Sequence, residues 1–463
     1  MIRLFRIFVP LGVLTLLLSE IVIITSAYVA SAYLAFDYDP TVFLLYDRGL
    51  LRIGIVVATI MIGFHFKDLY TDITVTSKTR LFQELSGVIG LATIAQGVAN
   101  YLLQGIAMPQ RVMLLGSVLA LVILFFWRQF HSTYVLQVVG ERKILFVGCN
   151  PVVQEIASYL RDHRDLGMRV EGCLHNAVPA GNSLQGVPVL GPVENLRHVA
   201  NGLKPDLIVV GLSERRDRMP VEDLLELRFA GFRIEEAAAT YENVCGRICT
   251  KELRPAQLIF TRELGPGAYG HRLQPLLDIL IAVVGTVVAA PVMLATALAV
   301  KLSSPGPVFY KQIRTGLDGA PFMVYKFRSM FTDAEARTGA VWASKDDPRI
   351  TPVGKWLRRL RLDELPQFFN VLRGEMSIIG PRPERPEFVQ MLTQKIPYYR
   401  QRHCVRPGVS GWAQINHKYG DTVEDTIIKL EYDLYYIKHM SFSLDLYILF
   451  HTLKTMLLSR GAQ

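Results

Sequence analysis

Long apolar runs dominate the first third of the chain. They cover residues 10–33, 50–66, 84–107 and 112–127, and the polar Gln96 and Asn100 interrupt the third. A helix needs about 20 apolar residues to cross the hydrocarbon core of a bilayer. The first run lacks a clear small-residue cleavage site and further runs follow it, so we interpret it as a retained helix, not a signal peptide. The pattern predicts a four-helix transmembrane region over residues 1–130.

A fifth apolar run, residues 276–302, contains Pro291 near its middle. Proline removes a backbone donor and can kink a helix. A break at membrane depth allows a helix to turn and leave on the side it entered, provided that the freed backbone groups find partners. A straight fifth span also fits the pattern. We favour a re-entrant helix with its kink at Pro291, because a fifth crossing would put the arginine-rich C-terminal part outside, against the positive-inside rule.

Basic residues around the first four runs predict which side faces the cytoplasm. They precede the first run, separate the second from the third and follow the fourth: Arg3, Arg6, Lys67, Lys78, Arg80, Arg128, Arg142 and Lys143. The first outer loop instead carries Asp37, Asp39 and Asp47, with Arg48 and Arg52 at its far end. Both termini and everything after residue 128 are therefore expected in the cytoplasm.

After the fourth run, short apolar strands alternate with helical segments. Residues 143–148 (KILFVG) precede a helical run that ends near Leu160, and residues 206–214 (DLIVVGLSE) contain a second strand. This alternation predicts a Rossmann-like α/β domain with a parallel sheet over residues 140–262. Its first turn has Asn150 where a dinucleotide-binding fingerprint has its second glycine. We therefore favour a regulatory or oligomerising module, with a homodimer contact, over NAD binding.

The C-terminal part, residues 271–463, is predicted to combine the fifth apolar run with a mixed α/β domain. It follows a linker at 262–271. Residues 303–316 (SSPGPVFYKQIRTG) and 319–330 (GAPFMVYKFRSM) have the pattern of two paired strands, and residues 429–457 have that of helices. Between them lies the stretch around which we organise the domain, RLDELPQFFNVLRGEMSIIGPRPE at 361–384.

Composition narrows the class of partner. The chain has 463 residues and a net charge of +9, with 51% hydrophobic and 20% charged residues. This charge suits an anionic lipid surface or a phosphate-bearing substrate, whereas no base-reading module points to nucleic acid. The five cysteines are odd in number and scattered, which favours reduced cytosolic thiols over a disulfide framework. Cys245 and Cys249 have no second ligand pair for a zinc site.

Two adjacent carboxylates, Asp363 and Glu364, stand near the start of the 361–384 stretch. Proline is tolerated in the first turn of a helix, so Pro366 places them at or just before a helix start. The free N–H groups and the positive dipole end found there can hold an anion or keep a carboxylate ionised. The simpler interpretation is an Asp N-cap ahead of an amphipathic helix.

Arginine and lysine are dense in the loops of this domain. They are Lys326, Arg328, Lys345, Arg349, Arg358, Arg359, Arg361, Arg382, Arg385, Arg402 and Arg406. Each alone is more often a solvated surface charge, but their density around a carboxylate pair indicates phosphoryl transfer between anionic partners. The carboxylate would then be a nucleophile or a ligand for Mg²⁺.

Four sequence blocks, in this order, resemble the bacterial sugar transferases known as monotopic phosphoglycosyl transferases. They are KFRSM at 326–330, DELPQFFNVLRGEMSIIGPRP at 363–383, RPGVSGWAQIN at 406–416, and YDLYYI at 432–437 with SFSLDLYIL at 441–449. The upstream layout, with four spans and a Rossmann-like domain, is similar to the large subgroup that includes undecaprenyl-phosphate glucose and galactose phosphotransferases.

The resemblance implies transfer of a sugar 1-phosphate from a UDP-sugar to undecaprenyl phosphate, with release of UMP, at the cytoplasmic face of the bacterial inner membrane. Asp363 would attack the β-phosphate and carry a covalent phosphosugar, with Glu364 assisting and Mg²⁺ bridging Asp363 and the diphosphate. The remaining residues that match family blocks are the phosphate or nucleotide contacts Lys326, Arg328, Arg361, Arg382 and Arg406, the late-block Asp433, and Pro291 at the kink of the re-entrant helix.

Two other classes of function fit the sequence less well. A membrane-bound nucleotide-sugar oxidoreductase usually needs a Tyr-x-x-x-Lys pair, which the chain lacks, and an intact glycine fingerprint, which its Rossmann-like turn lacks. A non-catalytic scaffold for polysaccharide assembly is disfavoured because the acidic pair and the arginines are intact. The sequence does not indicate which sugar is transferred.

Overall fold

A computed structural model describes most of the chain. The described residues are 2–4, 7–9, 11–37, 39–70, 75, 77–102, 108–135, 142–163, 166–212, 219–252, 265–332, 347, 349–417 and 422–457. They form two compact units, of which the first extends to Glu235, apart from residues 5–7, and the second begins at Glu236. Two short paired strands, β1 (Ile2–Leu4) and β2 (Ile7–Val9), precede the first helix.

Four helices of the first unit coincide with the predicted apolar runs. They are Leu11–Ala35, Gly49–Phe66, Lys78–Leu102 and Gln110–Phe130, with π-helical turns at Val42–Tyr46 and His131–Val135. Among the described residues, five helices are long and apolar enough to cross a membrane, the fifth being Tyr269–Ser303 of the second unit. The third helix begins before the predicted residue 84, and residues 103–107 of that run lie outside the described residues. The apolar helices are thus confirmed, and the number of full crossings stays a prediction.

The first and fourth of these helices pack antiparallel through polar side chains. The contacts are Thr15 Oγ1 to His131 Nε2 at 3.1 Å, Trp127 Nε1 to Ser19 Oγ at 2.8 Å and Tyr28 OH to Ser117 Oγ at 2.8 Å. Hydrogen bonds of this kind join helices where there is no water to drive association. They fix the register of the two helices over most of their length.

An ion pair buried in the same bundle joins Glu20 and Arg128. Arg128 Nε donates to Glu20 Oε1 at 2.6 Å, and both side chains are almost wholly enclosed, at 4% and 0% exposure. Tyr70 OH donates to the other oxygen of Glu20 at 2.6 Å. The position of Arg128 directly after the fourth apolar run predicts a charge at the cytoplasmic end of that span. Arg128 instead lies inside helix Gln110–Phe130 and is neutralised, so it does not contribute to the positive-inside argument.

A six-stranded sheet forms the α/β part of the chain. Its strands are β3 (Arg142–Val147), β4 (Met168–Leu174), β5 (Ser183–Leu184), β6 (Val187–Gly191), β7 (Leu207–Val210) and β8 (Ile234–Glu236), and its helices are Pro151–Asp162, Leu196–Leu203 and Val221–Phe229. The order across the sheet is β5-β6-β4-β3-β7-β8. β3 pairs in parallel with β4 and β7, and β4 with β6, whereas β5 and β6 are antiparallel. The predicted parallel sheet is confirmed, with an antiparallel hairpin at one edge.

The strand order reverses between β3 and β7, the place where doubly wound sheets bind ligands. Here a Cβ atom on Gly148 (φ 84°) would lie 2.8 Å from the side chain of Leu212 and 2.9 Å from Gly211 O. The side chain of Asn150 caps the following helix by accepting from Val153 N at 2.9 Å. Leu212 thus packs against the first turn, and the absence of dinucleotide binding stays a prediction.

The second unit combines one long apolar helix with two small sheets and seven further helices among its described residues. The helices are Ala237–Cys245, Gln274–Ser303, Pro352–Arg359, Gln367–Leu372, Pro386–Lys395, Trp412–Asn416, Val423–His439 and Phe442–Leu457. The strands are β9 (Phe309–Thr315), β10 (Pro321–Phe327), β11 (Ser377–Ile379) and β12 (Gly408–Ser410). β9 and β10 form the predicted antiparallel hairpin, and β11 pairs in parallel with β12.

Helix Gln274–Ser303 continues through Pro291 as one unbroken helix. It contacts the rest of the second unit near both ends. Gln274 Nε2 donates to Ile379 O at 3.1 Å, and Arg328 donates to Val300 O at 3.4 Å. The re-entrant path expected from Pro291 therefore stays a prediction.

The segment 237–252 packs against helix Val423–His439 within the second unit. Glu431 is its main anchor, accepting from Tyr241 OH at 3.0 Å and from Thr250 Oγ1 at 2.8 Å. Trp412 Nε1 also donates to Gly246 O at 2.7 Å. The predicted domain boundary at residue 262 lies in 253–264, outside the described residues, and stays a prediction.

Replacing Arg128 by Leu should destabilise the helix bundle strongly. Removing one partner of a buried ion pair leaves the other charge enclosed without compensation, at a cost of about 3–5 kcal/mol. The double variant, Glu20→Leu with Arg128→Leu, removes both charges and should recover most of the lost stability. Thermal unfolding of the purified protein in one detergent measures both variants.

The control for this experiment is Arg80→Leu, which removes a pair on the surface of the third helix. Arg80 lies 2.9 Å from Glu84 and its side chain is 75% exposed. Surface pairs of this kind contribute about 0–1 kcal/mol. A melting temperature of Arg128→Leu equal to that of Arg80→Leu would show that the buried pair does not stabilise the bundle.

Candidate active site

The acidic pair lies in a tight turn between two helices. Thr351 starts the first of these, Pro352–Arg359, by accepting a hydrogen bond from Gly354 N at 2.9 Å. Gly354 leaves no room for a side chain, since its Cβ would lie 2.0 Å from Ser329 O. After this helix ends, Arg361 takes a left-handed conformation (φ 53°), which turns the chain back on itself.

Asp363 and Glu364 follow in the 3-10 turn Leu362–Glu364, and helix Gln367–Leu372 begins directly after Pro366. The predicted position of the pair, just before a helix start, is therefore confirmed. This helix has six residues. The N–H groups and the dipole at a helix start can hold an anion or keep a carboxylate ionised. In the structure, side-chain cations determine the ionisation of Glu364.

Three cations surround Glu364. Lys326 Nζ and Arg382 Nη2 each donate to Glu364 Oε1, at 2.8 and 2.9 Å, and Arg361 Nη1 lies 3.6 Å from Oε2. We call Lys326, Arg361 and Arg382 the cation cluster. Burial opposes ionisation of Glu364, but the cluster outweighs it and holds the pKa of this carboxyl well below its usual range. Three residues predicted separately are thus brought together around one carboxylate.

Asp363 differs sharply from its neighbour. It is 8% exposed, and among the described residues it has no hydrogen-bond or salt-bridge partner. Burial, and then the negative charge of Glu364, raise the pKa of Asp363 to about 6. Around neutral pH it is therefore an ionised carboxylate whose oxygens no described residue engages.

The hairpin β9–β10 delivers Lys326 to the pair. Lys326 lies opposite Tyr310 in the register of the two strands. Burial lowers the pKa of Lys326, while the negative charge of Glu364 counteracts this effect. Its ammonium group is therefore held in place by the same carboxylate that it neutralises.

Arg358 is a further cation near Asp363, absent from the set matched by the sequence blocks. Its Nε donates to Ser329 Oγ at 2.9 Å, and its charge opposes the rise in the pKa of Asp363. The two terminal nitrogens have no hydrogen-bond partner among the described residues. Ser329 thus orients a guanidinium whose fork is free to bind phosphate oxygens. The arginine-rich pattern suggested Arg358, but no local signal singled it out.

Asp433 lies behind the site. It is 2% exposed, and its Oδ2 accepts from Arg402, with Nη2 at 2.7 Å. Arg402 Nη2 also donates to Arg382 O at 3.0 Å. Burial raises the pKa of Asp433, and Arg402 counteracts this effect. Asp433 therefore acts through Arg402 on the backbone of Arg382, and sequence analysis missed Arg402 as the link because the three residues come from separate segments.

Two of the predicted phosphate contacts, Arg328 and Arg406, do not contact Glu364. Arg328 is 5% exposed and donates to Pro305 O at 2.8 Å and to Ser304 O at 2.7 Å, so it caps the C-terminal end of helix Gln274–Ser303. Arg406 is half-buried and interacts electrostatically with Asp278 of the same helix. Lys345, which the sequence pattern also suggested, lies outside the described residues.

One carboxylate of the acidic pair could contribute to a Mg²⁺ site. Among the described residues, no group of three His, Cys, Asp or Glu side chains could hold a metal ion by itself. Mg²⁺, however, is usually bound by one or two carboxylates together with substrate phosphates and water. Since Glu364 is engaged by the cation cluster, Asp363 is the carboxylate available to such an ion.

Comparisons with known proteins find relatives of the part of the chain that contains the site. The profile of the family described as bacterial sugar transferase matches residues 269–459. A UDP-N-acetylgalactosamine-undecaprenyl-phosphate N-acetylgalactosaminephosphotransferase of Aeromonas hydrophila is 48% identical over 222 residues, covering 48% of this chain and 52% of the relative. The chain thus spans about half the length of that relative.

Two further relatives extend the match in different directions. A UDP-glucose:undecaprenyl-phosphate glucose-1-phosphate transferase of Klebsiella pneumoniae is 35% identical over 321 residues, covering 68% of this chain and 67% of the relative. The uncharacterized sugar transferase EpsL of Bacillus subtilis is 39% identical over 191 residues, covering 41% of this chain and 90% of the relative. With a matching profile over the site and relatives covered over two thirds or more of their length, this chain belongs to the bacterial sugar transferase family.

Proposed function

We propose that this protein transfers a sugar 1-phosphate from a UDP-sugar to undecaprenyl phosphate, forming undecaprenyl-diphosphate-sugar and UMP. The names of its relatives support the substrate classes. The observation that carries the proposal is the contrast within the acidic pair. Glu364 is held ionised by the cation cluster, whereas Asp363 beside it is buried and has no hydrogen-bond or salt-bridge partner in the described part of the chain.

In the first step, a carboxylate oxygen of Asp363 attacks the β-phosphorus of the UDP-sugar. The bond between that phosphorus and the oxygen that bridges to the α-phosphate breaks, and the electron pair leaves with UMP. The product is an acyl phosphate that joins Asp363 to the sugar phosphate. Partial burial favours this attack, because a carboxylate without strong hydrogen bonds is a better nucleophile than one already engaged.

In the second step, a phosphate oxygen of undecaprenyl phosphate attacks the same phosphorus. The bond from phosphorus to Asp363 breaks, the carboxylate is regenerated, and the lipid diphosphate sugar leaves. Two successive displacements let one carboxylate serve a water-soluble donor and a membrane-bound acceptor in turn. No proton has to be transferred to Asp363 in either step.

The cations around the pair offset the charge of the phosphates. The two terminal nitrogens of Arg358 can donate to two phosphate oxygens, and Lys326 and Arg382 can share their donors between Glu364 and the diphosphate. Glu364 keeps these two side chains in position when no substrate is bound. A Mg²⁺ ion held by Asp363 would stabilise negative charge on the diphosphate and on the leaving group.

The long apolar helix supports a membrane arrangement in which both of its ends lie on the same side of the bilayer. Both ends of Gln274–Ser303 contact the same unit, through Ile379 at one end and Arg328 at the other. A helix of 30 residues is about 45 Å long, so a straight crossing would carry one end across the bilayer, away from those contacts. We therefore propose that four helices cross the inner membrane. The fifth apolar helix bends at Pro291 and leaves the membrane on the side it entered.

Asp363→Asn should abolish the reaction. The amide is a poor nucleophile, so release of UMP should fall on the order of a thousandfold or more. The assay measures UMP release from a panel of UDP-sugars by the detergent-purified protein with undecaprenyl phosphate and Mg²⁺. The donor with the highest kcat/KM identifies the sugar, and omission of lipid should stop turnover after the first step.

The control is Asp318→Asn, which changes an Asp in the β9–β10 turn (φ 54°), where Asn is equally tolerated. It should retain activity within about twofold, as expected of a surface substitution. Undiminished turnover by Asp363→Asn would rule out Asp363 as the nucleophile. Silence of the wild-type protein with every donor would contradict the proposed reaction.

The first step should lose rate as the pH falls through about 6, the raised pKa of Asp363. Below that value the carboxyl is protonated and the rate should drop roughly tenfold for each pH unit. A single-turnover burst of UMP, measured without lipid, isolates this step. Lipid is omitted because its phosphate monoester also titrates, at a pH of about 6.

Glu364→Gln removes the neighbouring negative charge that helps to raise the pKa of Asp363. The acid limb of its residual burst should therefore move to lower pH. Glu387→Gln, which changes a carboxylate with 66% exposure, should leave the limb where it is. A limb that stays in place in Glu364→Gln would argue that another group controls the rate.

A further inference from the structure

The strand β11 connects the long apolar helix to the cation cluster. It has three residues and pairs with β12 along one edge, where Ser377 N donates to Pro407 O at 2.9 Å and Gly380 N to Ser410 O at 2.8 Å. Its other edge faces side chains of helix Gln274–Ser303, where a third strand would otherwise pair. Buried backbone groups need partners, so these side chains complete the strand.

Asp278 and Gln274 supply those partners. Asp278 Oδ1 accepts from Ile378 N at 2.9 Å, and Gln274 Nε2 donates to Ile379 O at 3.1 Å. The two side chains are one helical turn apart and are 5% and 7% exposed. Polar groups are costly in a helix this apolar unless they are paired, and such residues usually have a function there.

The position of Gln274 is itself fixed by a buried network. Its Nε2 also donates to Tyr436 OH at 2.8 Å and to Asp445 Oδ2 at 3.0 Å. Tyr436 OH donates in turn to Asp445 Oδ1 at 2.8 Å. The start of the helix is thereby held against helices Val423–His439 and Phe442–Leu457 as well as against β11.

Three residues after β11 comes Arg382, whose guanidinium donates to Glu364 at 2.9 Å. The intervening backbone has little freedom to move. A Cβ on Gly380 would lie 2.5 Å from Arg406 O, and Pro381 O accepts from Gly408 N at 2.9 Å. A displacement of β11 is therefore passed on to Arg382.

The opposite end of the helix is tied to Lys326 in a similar way. Arg328, two residues beyond Lys326, donates to Ser304 O at 2.7 Å and to Val300 O at 3.4 Å. The helix thus holds the two chain segments that carry the two cations bonded to Glu364 Oε1. This assigns a structural reason to the buried position of Arg328.

We infer that Asp278, with Gln274, is a positioning residue for the transferase reaction: through β11 it sets Arg382 against Glu364 and so couples the seating of the membrane helix to the phosphate-binding cations. The inference rests on the proposed function for its catalytic consequence. The tether between the helix and β11 can be tested without it.

A double-mutant cycle tests the coupling. Asp278→Ala leaves Ile378 N buried without an acceptor and should lower kcat/KM for UMP release about tenfold or more. In an Arg382→Ala background the same change should cost no more than about twofold, because its effect runs through Arg382. Asp278→Asn keeps an acceptor oxygen and should stay within about threefold of wild type.

The matched control is Thr286→Val on the same helix. The Thr286 hydroxyl donates to Ala282 O of its own helix at 2.6 Å, and the variant should leave kcat/KM near wild type in both backgrounds. Equal losses from Asp278→Ala with and without Arg382 would overturn the inference. So would a loss in Asp278→Asn as large as that in Asp278→Ala.

Hydrogen–deuterium exchange tests the tether independently of activity. In Asp278→Ala, the protection factors of peptides covering residues 377–382 should fall about tenfold. Those of peptides covering the β9–β10 hairpin should not change. Unchanged protection at 377–382 in a folded Asp278→Ala protein would overturn the inference. A wild-type protein that releases no UMP would instead refute the proposed function, with the exchange result still deciding the tether.

Discussion

The site depends on one buried carboxylate, Glu364, and on the cations that keep it charged. An enclosed carboxylate is costly unless cations and hydrogen bonds compensate it. The compensation comes from three separate stretches: Lys326 from the hairpin, Arg361 from the left-handed turn, and Arg382 from the loop after β11. Because all three must converge on Glu364, the surrounding elements have little freedom in how they pack.

The same arrangement explains how two adjacent acids can differ in chemistry. Glu364 takes the nearby hydrogen-bond donors, and Asp363 keeps its oxygens free while the charge of its neighbour raises its pKa. Similar sequences of acid-acid pairs need not behave in this way. The two carboxyls differ because only Glu364 faces the cations. This orientation follows from the left-handed φ of Arg361 and from the position of Pro366.

Local patterns predicted the parts of the fold that depend on neighbouring residues. Apolar run lengths predicted the helices of the first unit, the prolines and alternation at 303–330 predicted the hairpin, and Pro366 predicted where the acidic pair stands. Interactions between distant segments escaped prediction. Arg402 joins Asp433 to Arg382, and Ser329 orients Arg358, through contacts that no spacing in the chain reveals.

Two buried arginines, Arg128 and Arg328, show the same limit of local sequence patterns. Arg128 was interpreted as a loop residue and Arg328 as a phosphate contact, because an arginine near an apolar run or a catalytic block usually has those roles. Each is buried against a specific partner supplied by a distant part of the chain, Glu20 in one case and the end of helix Gln274–Ser303 in the other. Charge type can be read from sequence, but its burial depends on tertiary packing.

The Glu20–Arg128 pair also constrains the order of events during biosynthesis. The two residues are separated by 108 positions, so the ribosome delivers the first helix well before the fourth. Until the fourth helix arrives, Glu20 has no arginine to neutralise it, and an ionised or protonated carboxyl within a lone apolar helix is poorly accommodated in lipid. The first helix would therefore stay shielded by the translocation machinery, or shallow in the membrane, until translation of the bundle is nearly complete.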